Sequence, residues 1–364
     1  MYAKDICYTP PSKSARVVAC ANPISHESAL NQTPQYVLSG LRPTGRIHLG
    51  NYFGAIRNWV RLQDLYDCYY FIADWHALTS DYADTSRVTN ATFEATADLL
   101  AAGLDPAKST IFVQSEVKEH AELHLILSMV TPLPWLERVP TFKDQQAQLE
   151  DKDLNTYGFL GYPLLQTADI IIYRANFVPV GEDQESHLEL SREIVRRFNR
   201  FYGDVFPEPL PLATETPKVP GLDGRKMSKS YGNTIPLTAS ADDIRALVMT
   251  MFTDPERIRR KDPGRPDVCN LFQFHKLFSN AETIARVDRE CRTAQIGCVD
   301  DKKLLAEIMI ESLRPIREKR EEIDRDPSIV WDVLREGNRK ARQRAQETMQ
   351  LVRDAVKINY SGLK

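Results

Sequence analysis

Ser39–Gly54 reads SGLRPTGRIHLGNYFG and links an apolar segment to a segment with helical spacing. Tyr36–Leu38 is the strand candidate before it, a turn with glycine and proline covers Gly40–Gly45, and apolar residues then recur at helical intervals. When a strand leads through a turn into a helix, the free backbone N–H groups and the positive end of the helix dipole point at one place. Such a place suits the binding of phosphate. His48 and Asn51 add polar side chains there. By itself, the pattern is also ordinary in α/β proteins without a nucleotide.

Strand-like and helix-like segments alternate from residue 35 to about residue 222. The strand candidates are Cys68–Ala73, Ser109–Gln114 and Phe177–Val180, and the helix candidates are Ser86–Ala102, Glu119–Val130, Leu164–Tyr173 and Gln184–Phe201. This alternation predicts an α/β fold with a Rossmann-type doubly wound parallel sheet, whose ligand lies at the carboxyl ends of the strands. The region 115–160 interrupts the alternation with prolines and a polar run. A long surface insertion is one interpretation of this region.

The chain pattern predicts three parts. Residues 1–34 lack periodicity and are expected to form a disordered N-terminal tail. Residues 35–234 are expected to form the Rossmann domain with its insertion, and residues 235–364, where strand signals end, an α-helical domain. Basic clusters in the helical domain, at 257–261 and along the last helix, are candidates for contact with a nucleic-acid backbone. A solvated helix face is the alternative interpretation.

Bulk properties exclude several classes of protein. The chain has 364 residues and 42% hydrophobic content, enough for a large core. No apolar run approaches the roughly 18–20 residues that span a bilayer, and no apolar segment follows the N-terminal charges as in a secretory signal. Six cysteines in a chain of this length do not indicate a disulfide scaffold, so we expect a cytoplasmic protein without a membrane partner. The net charge is −3, so a nucleic-acid site has to be a local basic face.

A second stretch, GRKMSKSYGN at Gly224–Asn233, places two lysines between glycines. A cationic loop that closes on a polyphosphate is one interpretation, and a solvated surface loop is the other. The two stretches in this order are more specific than either alone. Here the chain resembles a class I aminoacyl-tRNA synthetase: His48–Asn51 is similar to the first signature of that class, and Lys226–Ser230 matches the second letter for letter.

Three further stretches narrow the resemblance. Tyr162–Tyr173 reads YPLLQTADIIIY, Pro179–Gln184 reads PVGEDQ and Asp74–Thr79 reads DWHALT. Together they closely resemble tryptophanyl-tRNA synthetases of bacterial type. Asp169 stands among apolar residues, where a carboxylate needs a partner. It is interpreted as the acceptor for the indole N–H, which can only donate; a capping or salt-bridging role is the alternative.

The resemblance implies roles for individual residues. His48, Lys226 and Lys229 are expected to be catalytic, and Asp169, His76 and Gln184 to bind tryptophan. The expected ATP-binding residues are Arg42, Pro43, Thr44, Gly50, Asn51, Gly181, Glu182, Asp183, Val219, Lys226, Met227, Ser228, Lys229 and Ser230. Arg42 departs from the family, where many bacterial relatives have glutamine, so its contact is left open.

The implied reaction is tryptophan activation by ATP with Mg²⁺, followed by transfer to the 3′-terminal ribose of tRNA(Trp). The attacking carboxylate is already ionised at neutral pH, so the site needs alignment and positive charge rather than a general base. The glycine turns, amide donors and lysines fit that demand. We expect the loop Gly224–Asn233 to be mobile without ATP, because it has few apolar anchors. The resemblance also implies a homodimer and tRNA binding by the helical domain. It further implies that 115–160 is an inserted helical segment that helps to form the dimer interface, with a long surface insertion as the alternative.

Two other functions remain possible from the sequence. Tyrosyl-tRNA synthetases share the fold and the chemistry, and a tyrosine hydroxyl can also donate to Asp169. The GEDQ and DWHALT stretches favour tryptophan. A non-catalytic paralogue that senses tryptophan or nucleotide is the other alternative, and the intact His48, Lys226 and Lys229 argue against it.

Three cysteines of the helical domain are candidate ligands of an iron–sulfur cluster. Cys269, Cys291 and Cys298 have the spacing found in a subset of tryptophanyl-tRNA synthetases that hold such a cluster, but Asp301 stands where those proteins have a fourth cysteine. Cluster irons favour thiolates, and a carboxylate is a harder ligand. Ordinary buried cysteines are the alternative. We predict that the protein aminoacylates without a metal on these cysteines.

Overall fold

The computed structural model describes residues 34–139, 153–181, 185–213 and 218–360. From Gln35 onward these residues form one compact unit. Five parallel strands form one sheet in the order β3-β2-β1-β4-β5. The strands are β1 Tyr36–Leu41, β2 Asp67–Ile72, β3 Ser109–Val113, β4 Phe177–Val180 and β5 Leu210–Ala213. The predicted α/β class with a doubly wound parallel sheet is therefore confirmed. The chain order reverses beside β1, where ligands bind in such sheets.

Helices cover the sheet and make up the part of the chain after the strands. The first, α1, begins as Leu49–Asn51, continues through a π turn at Tyr52–Ile56 and ends as Arg57–Leu62. The helices between the strands are α2 Asp74–Asp81, α3 Val88–Ala101, α4 Glu119–Ser128, α5 Leu133–Glu137, α6 Tyr157–Leu160, α7 Tyr162–Ile172 and α8 Glu185–Tyr202. After the strands come α9 Ala241–Thr250, α10 Asn270–Phe278, α11 Ala281–Arg292, α12 Cys298–Arg325 and α13 Ser328–Ala355.

The core lies on both faces of the sheet, because successive strand residues point to opposite sides. On β1, Val37 belongs to one buried cluster and Leu38 to the other. On β2, Tyr70 and Phe71 are divided in the same way. Because these parallel strands lie between two layers of helices and are buried on both faces, their sequences are continuous apolar runs. This burial fixes the strand register, and with it the position of the loops at the carboxyl edge.

The predicted domain limits stay predictions. The tail, apart from Pro34, and residues 140–152 of the predicted insertion lie outside the described residues. Helices α4, α5 and α6 fall within the described parts of 115–160, and the region after residue 235 is mostly helical. No helix in the described ranges is both long and apolar enough to cross a membrane.

The C-terminal helix α13 covers β3, the edge strand, at unusually close range. A Cβ added at Gly337 would lie 1.7 Å from the carbonyl oxygen of Ile111. The next residue, Asn338, accepts the backbone N–H of Val113 with its Oδ1 at 2.9 Å. Glycine thus allows the helix to approach the strand, and Asn338 satisfies a donor that an edge strand leaves free.

Replacing Gly337 with alanine is expected to lower the free energy of unfolding by about 3 kcal/mol, because the new methyl group meets backbone that cannot rotate away. Helix propensity alone predicts the opposite, a gain of about 1 kcal/mol. Gly54→Ala is the matched control, since a Cβ there meets nothing within 4 Å. Urea unfolding of both variants measures the difference. Equal stability of the two variants would contradict the close approach.

Candidate active site

The candidate residues lie at the carboxyl edge of the sheet. The turn that contains Arg42 follows β1, α2 with His76 follows β2, and a short 3₁₀ turn, Gln114–Glu116, follows β3. Gly181 follows β4. Because the carboxyl ends of parallel strands meet at one edge, these segments surround a common space beside the reversal of strand order.

His48 caps the start of α1. Its Nδ1 accepts the backbone N–H of Asn51, and the Asn51 Oδ1 accepts the backbone N–H of His48, each at 3.3 Å. The side chain is nearly buried, and burial together with the charge of Lys229 lowers the pKa of His48 to about 4. The ring is therefore neutral at pH 7, and because Nδ1 accepts, the proton is on Nε2. The N–H at Nε2 can donate to a phosphate oxygen.

The loop that carries the second signature is docked on the first. The Met227 sulfur accepts the backbone N–H of Gly50 at 3.2 Å, and Met227 is 4% exposed in the main core cluster. A Cβ at Gly50 would lie 2.9 Å from the His48 ring and 3.3 Å from the Met227 Cβ. Glycine is thus needed for this contact. The expectation of few apolar anchors was wrong for Met227; the mobility of the loop stays a prediction.

Lys229 spans the two signatures. Its Nζ donates to the carbonyl oxygen of Thr44 at 2.8 Å and to its hydroxyl at 3.1 Å. Burial lowers the pKa of Lys229, and the charge of Asp98 opposes that effect. Lys226 is exposed on the same loop. One cation therefore already lies at the turn where the triphosphate is expected.

The other predicted ATP-binding residues lie around these contacts. Val219 accepts the backbone N–H of Met227 at 3.1 Å. The Ser228 hydroxyl is 2.8 Å from that of Ser230. Pro43 is buried within the turn. Glu182, Asp183 and Gln184 lie outside the described residues. The roles of all these residues in ATP or tryptophan binding stay predictions.

Arg42 contacts α2. Its Nη2 donates to the Ser80 hydroxyl at 2.6 Å and forms an ion pair with Asp81 Oδ2 at 3.1 Å. This resolves the contact that the sequence left open: the arginine links the turn after β1 to the helix after β2. Its expected role as an ATP ligand remains a prediction.

Asp169 is the centre of a buried hydrogen-bond network. The residue is 0% exposed on α7. Its Oδ1 lies 2.6 Å from His120 Nδ1, its Oδ2 lies 2.8 Å from His76 Nε2, and the Gln114 amide donates to both oxygens at 2.8 Å. His120 Nε2 lies 2.7 Å from the Tyr173 hydroxyl. Of the two histidines that contact the carboxylate, His76 is the more exposed, with 12% of its side chain exposed against 0% for His120.

This network keeps Asp169 ionised. Burial by itself would raise its pKa, but hydrogen bonds from His120 and His76 hold the pKa well below its ordinary value. Burial raises the pKa of Tyr173 well above its ordinary value, so its hydroxyl is protonated and donates to His120 Nε2. His120 therefore donates to Asp169 from Nδ1. The result is a buried, preoriented anion that is able to accept a hydrogen bond from a substrate donor.

Gln114, His120 and Tyr173 were missed by the sequence analysis. Gln114 is a polar residue at the end of a predicted strand, which is a usable signal because the ligand edge of the sheet lies there. His120 and Tyr173 carry no comparable local signal. Only the fold brings them to Asp169.

The cysteine group does not fit a cluster as it stands. Arg257 Nη1 lies 3.7 Å from Cys291 Sγ and 3.8 Å from Cys298 Sγ, and Asp301 Oδ1 lies 3.1 Å from His275 Nε2. Burial raises the pKa of the Cys291 thiol to about 11. Within the described residues, no group of three or more His, Cys, Asp or Glu is arranged to hold a metal. The absence of a cluster remains a prediction.

Cys291→Ser is expected to leave aminoacylation within about twofold of the unmodified protein and to reduce stability by about 1 kcal/mol, because a buried thiol becomes a hydroxyl. Cys68→Ser, in the buried β2 strand, is the matched control. Iron and sulfide analysis after anaerobic purification, with thermal unfolding of both variants, measures this. A brown protein with stoichiometric iron that Cys291→Ser abolishes would contradict the prediction.

Comparison with known proteins identifies similar chains. The model of the class I tRNA synthetases (W and Y) matches residues 30–314. The tryptophan–tRNA ligase of Thermotoga maritima is 52% identical over 326 residues, 89% of this chain and 99% of the relative. The tryptophan–tRNA ligase of Aquifex aeolicus is 44% identical over an alignment 392 residues long, which covers 88% of this chain and 99% of the relative. Among solved structures, the tryptophanyl-tRNA synthetase of Campylobacter jejuni complexed with ADP and tryptophan matches with a TM-score of 0.81 and 36% identity, over 89% of this chain and 100% of that one.

Proposed function

The chain belongs to the class I tRNA synthetases for tryptophan and tyrosine, and from that premise we infer that it is a tryptophan–tRNA ligase. It activates tryptophan with ATP to tryptophanyl-adenylate and transfers the amino acid to the 3′-terminal ribose of tRNA(Trp). The observation that carries this function is the docking of the second signature on the first, through Met227 on Gly50 and Lys229 on Thr44. These contacts join the two halves of an ATP site that are far apart in sequence.

The chemistry follows from the charges at that junction. The tryptophan carboxylate attacks the α-phosphate, and pyrophosphate leaves. His48 is neutral and donates from Nε2, while Lys229 and Lys226 bring positive charge to the leaving phosphates. Such preoriented donors stabilise the charge that develops in the in-line transition state. Mg²⁺ arrives with ATP as part of the substrate and is held chiefly by phosphate oxygens and water.

Asp169 selects tryptophan in this proposal. Its ionised carboxylate accepts the indole N–H, the only hydrogen-bond donor of that ring. Both oxygens already accept from Gln114 and from a histidine. The indole therefore shares Oδ2 with His76 or displaces it, because His76 is the more exposed of the two histidines.

Partners beyond the small substrates are also part of the proposal. The basic residues of α13 are mostly engaged by acids, for example Arg335 by Asp332 and Arg339 by Glu336. Arg259 and Lys261 are exposed and are the better candidates for the tRNA backbone, whereas Arg260 between them pairs with Asp300 at 3.2 Å. Large apolar side chains are exposed on and beside α4, α5 and α6, namely Leu125, Met129, Leu133 and Tyr157, and they support the expected homodimer. The location proposed for the protein is the cytoplasm.

ATP–pyrophosphate exchange with each amino acid in turn tests the function. Exchange that depends on tryptophan, followed by charging of tRNA(Trp), is the expected result. Exchange with tyrosine but not tryptophan would indicate a tyrosyl enzyme. Binding of tryptophan without any exchange would indicate a sensor. Either of these two outcomes would overturn the proposal.

A further inference from the structure

A fully buried carboxylate joins three distant parts of the chain. Asp98 lies on α3 and is 0% exposed. Its Oδ2 accepts the backbone N–H of Ile47, the residue before His48, at 2.7 Å. Its Oδ1 accepts the hydroxyl of Thr238 at 3.1 Å and forms an ion pair with Arg320 Nη1 at 2.5 Å. A carboxylate this deep is stable only when its oxygens are satisfied, so the loss of any partner is costly.

Arg320 holds Asp98 from the helical region. It lies on α12 and is 5% exposed. Besides Asp98, its Nη2 lies 2.7 Å from Glu94 Oε2, and its Nε lies 2.8 Å from Asp324 Oδ1. The planar guanidinium thus has three carboxylate partners and one orientation, which a lysine could not reproduce.

The other two partners of Asp98 belong to segments that pair with each other. The Leu49 N–H donates to the Ile235 carbonyl oxygen at 3.0 Å, and the Leu237 N–H donates to the Ile47 carbonyl oxygen at 2.8 Å. The Ile47–Leu49 segment leads into the first signature, and Ile235–Thr238 follows the loop of the second. Asp98 contacts both segments at their junction, so its position bears on the spacing of the two signatures.

We propose that Asp98 and Arg320 are positioning residues for adenylate formation, which hold the two ATP signatures in register through Ile47 and Thr238. The proposal rests on the proposed function. Neither residue touches the substrates. Both act through the backbone that carries His48 and through the segment Ile235–Thr238, which follows the loop that carries Lys229. The charge of Asp98 also opposes the effect of burial on the pKa of Lys229, while burial raises the pKa of Asp98 itself against the hydrogen bond from Ile47 and the charge of Arg320.

The relative position of the two signatures affects the reaction most in the transition state, when charge develops on the phosphates. Weak positioning therefore lowers kcat for activation and leaves tryptophan binding almost unchanged. A role in stability alone predicts a lower melting temperature with unchanged kinetics per folded molecule. These two outcomes separate positioning from simple structural support.

The test measures ATP–pyrophosphate exchange at varied ATP and tryptophan, for Asp98→Asn, Arg320→Gln and Thr238→Val, with tryptophan affinity from fluorescence titration. We expect kcat to fall by about 10- to 100-fold, the cost of a lost hydrogen bond to a charged group. The KM for tryptophan should stay within about twofold. Asp98→Asn combined with Arg320→Gln should lose less than the product of the single effects, because both act through one junction.

Arg245→Gln is the matched control. This arginine joins α9 to α12 by an exposed ion pair with Glu307 at 2.8 Å, so its loss should leave kcat unchanged. Thr238→Val keeps the volume of the side chain and tests the link if Asp98→Asn does not fold. It removes the hydroxyl's bonds to Asp98 and to Arg46 Nη2, while Arg46 keeps the carbonyl oxygen of residue 238 as its acceptor. Folded variants with kcat within about twofold of the unmodified protein would overturn the inference. Exchange by the unmodified protein with tryptophan tests the function separately.

Discussion

Lys229→Ala is expected to lower kcat for adenylate formation by about 100- to 1,000-fold, the usual effect of removing one preoriented donor to a transition state. The Lys229 ammonium lies at the Thr44 turn, with hydrogen bonds of 2.8 and 3.1 Å. Because the proposed role of this ammonium is to meet the phosphates as their charge shifts to the leaving group, the KM for tryptophan should change by less than about threefold. Single-turnover formation of the adenylate measures the effect directly.

Arg225→Ala serves as the control for the charge of the loop. That arginine lies on the same loop, but its guanidinium pairs with Asp223 and stacks on Tyr231. Removing it should therefore leave the chemical step close to that of the unmodified protein. A kcat that Lys229→Ala leaves unchanged would show that the docked lysine supports only the conformation of the loop.

Asp169→Ala is expected to raise the KM for tryptophan by at least about 100-fold, with little change in the KM for ATP. Sites that hydrogen-bond a substrate group, such as that of tyrosyl-tRNA synthetase, discriminate by about 10⁴–10⁵ against analogues that lack it. The variant also leaves His120 and Gln114 without their acceptor. We therefore expect it to lose stability as well, by about 3 kcal/mol or more.

A graded pair of variants separates selection from stability. Asp169→Asn keeps the volume of the side chain and removes the charge. Tyr173→Phe leaves Asp169 unaltered and removes only the donor to His120 Nε2. If Asp169 binds the indole, the KM for tryptophan should rise strongly in the first variant and weakly in the second. A change confined to the KM for ATP in Asp169→Asn would contradict the assignment.

The elements that could be predicted are those with a strong local pattern. β1 to β4 carry buried apolar runs, and the long helices carry regular spacing, so their positions agree with expectation to within a few residues. β5, Leu210–Ala213, was missed because Pro211 lies within it. Proline is tolerated in an edge strand, where one side needs no donor, but it conceals the strand signal.

Candidate site residues could be predicted only where they belong to short sequence motifs. His48, Lys229 and Asp169 were predicted from such motifs, and the structure gives each a defined set of partners, while their roles stay predictions. His120 and Arg320 could not be found, because their partners lie 49 and 222 residues away. The partner of a buried histidine or arginine is determined by the tertiary fold, and no local sequence pattern specifies which carboxylate it contacts.

The contact between α13 and β3 bears on how the chain matures during synthesis. Asn338 meets the strand 225 residues after Val113 has been made. At about 5–20 residues per second, a ribosome needs roughly 10–45 s to add that much chain. During this interval the nascent sheet has an uncovered border that can pair with another strand of the same kind. Shielding by molecular chaperones is therefore most needed between the emergence of β3 and that of the last helix.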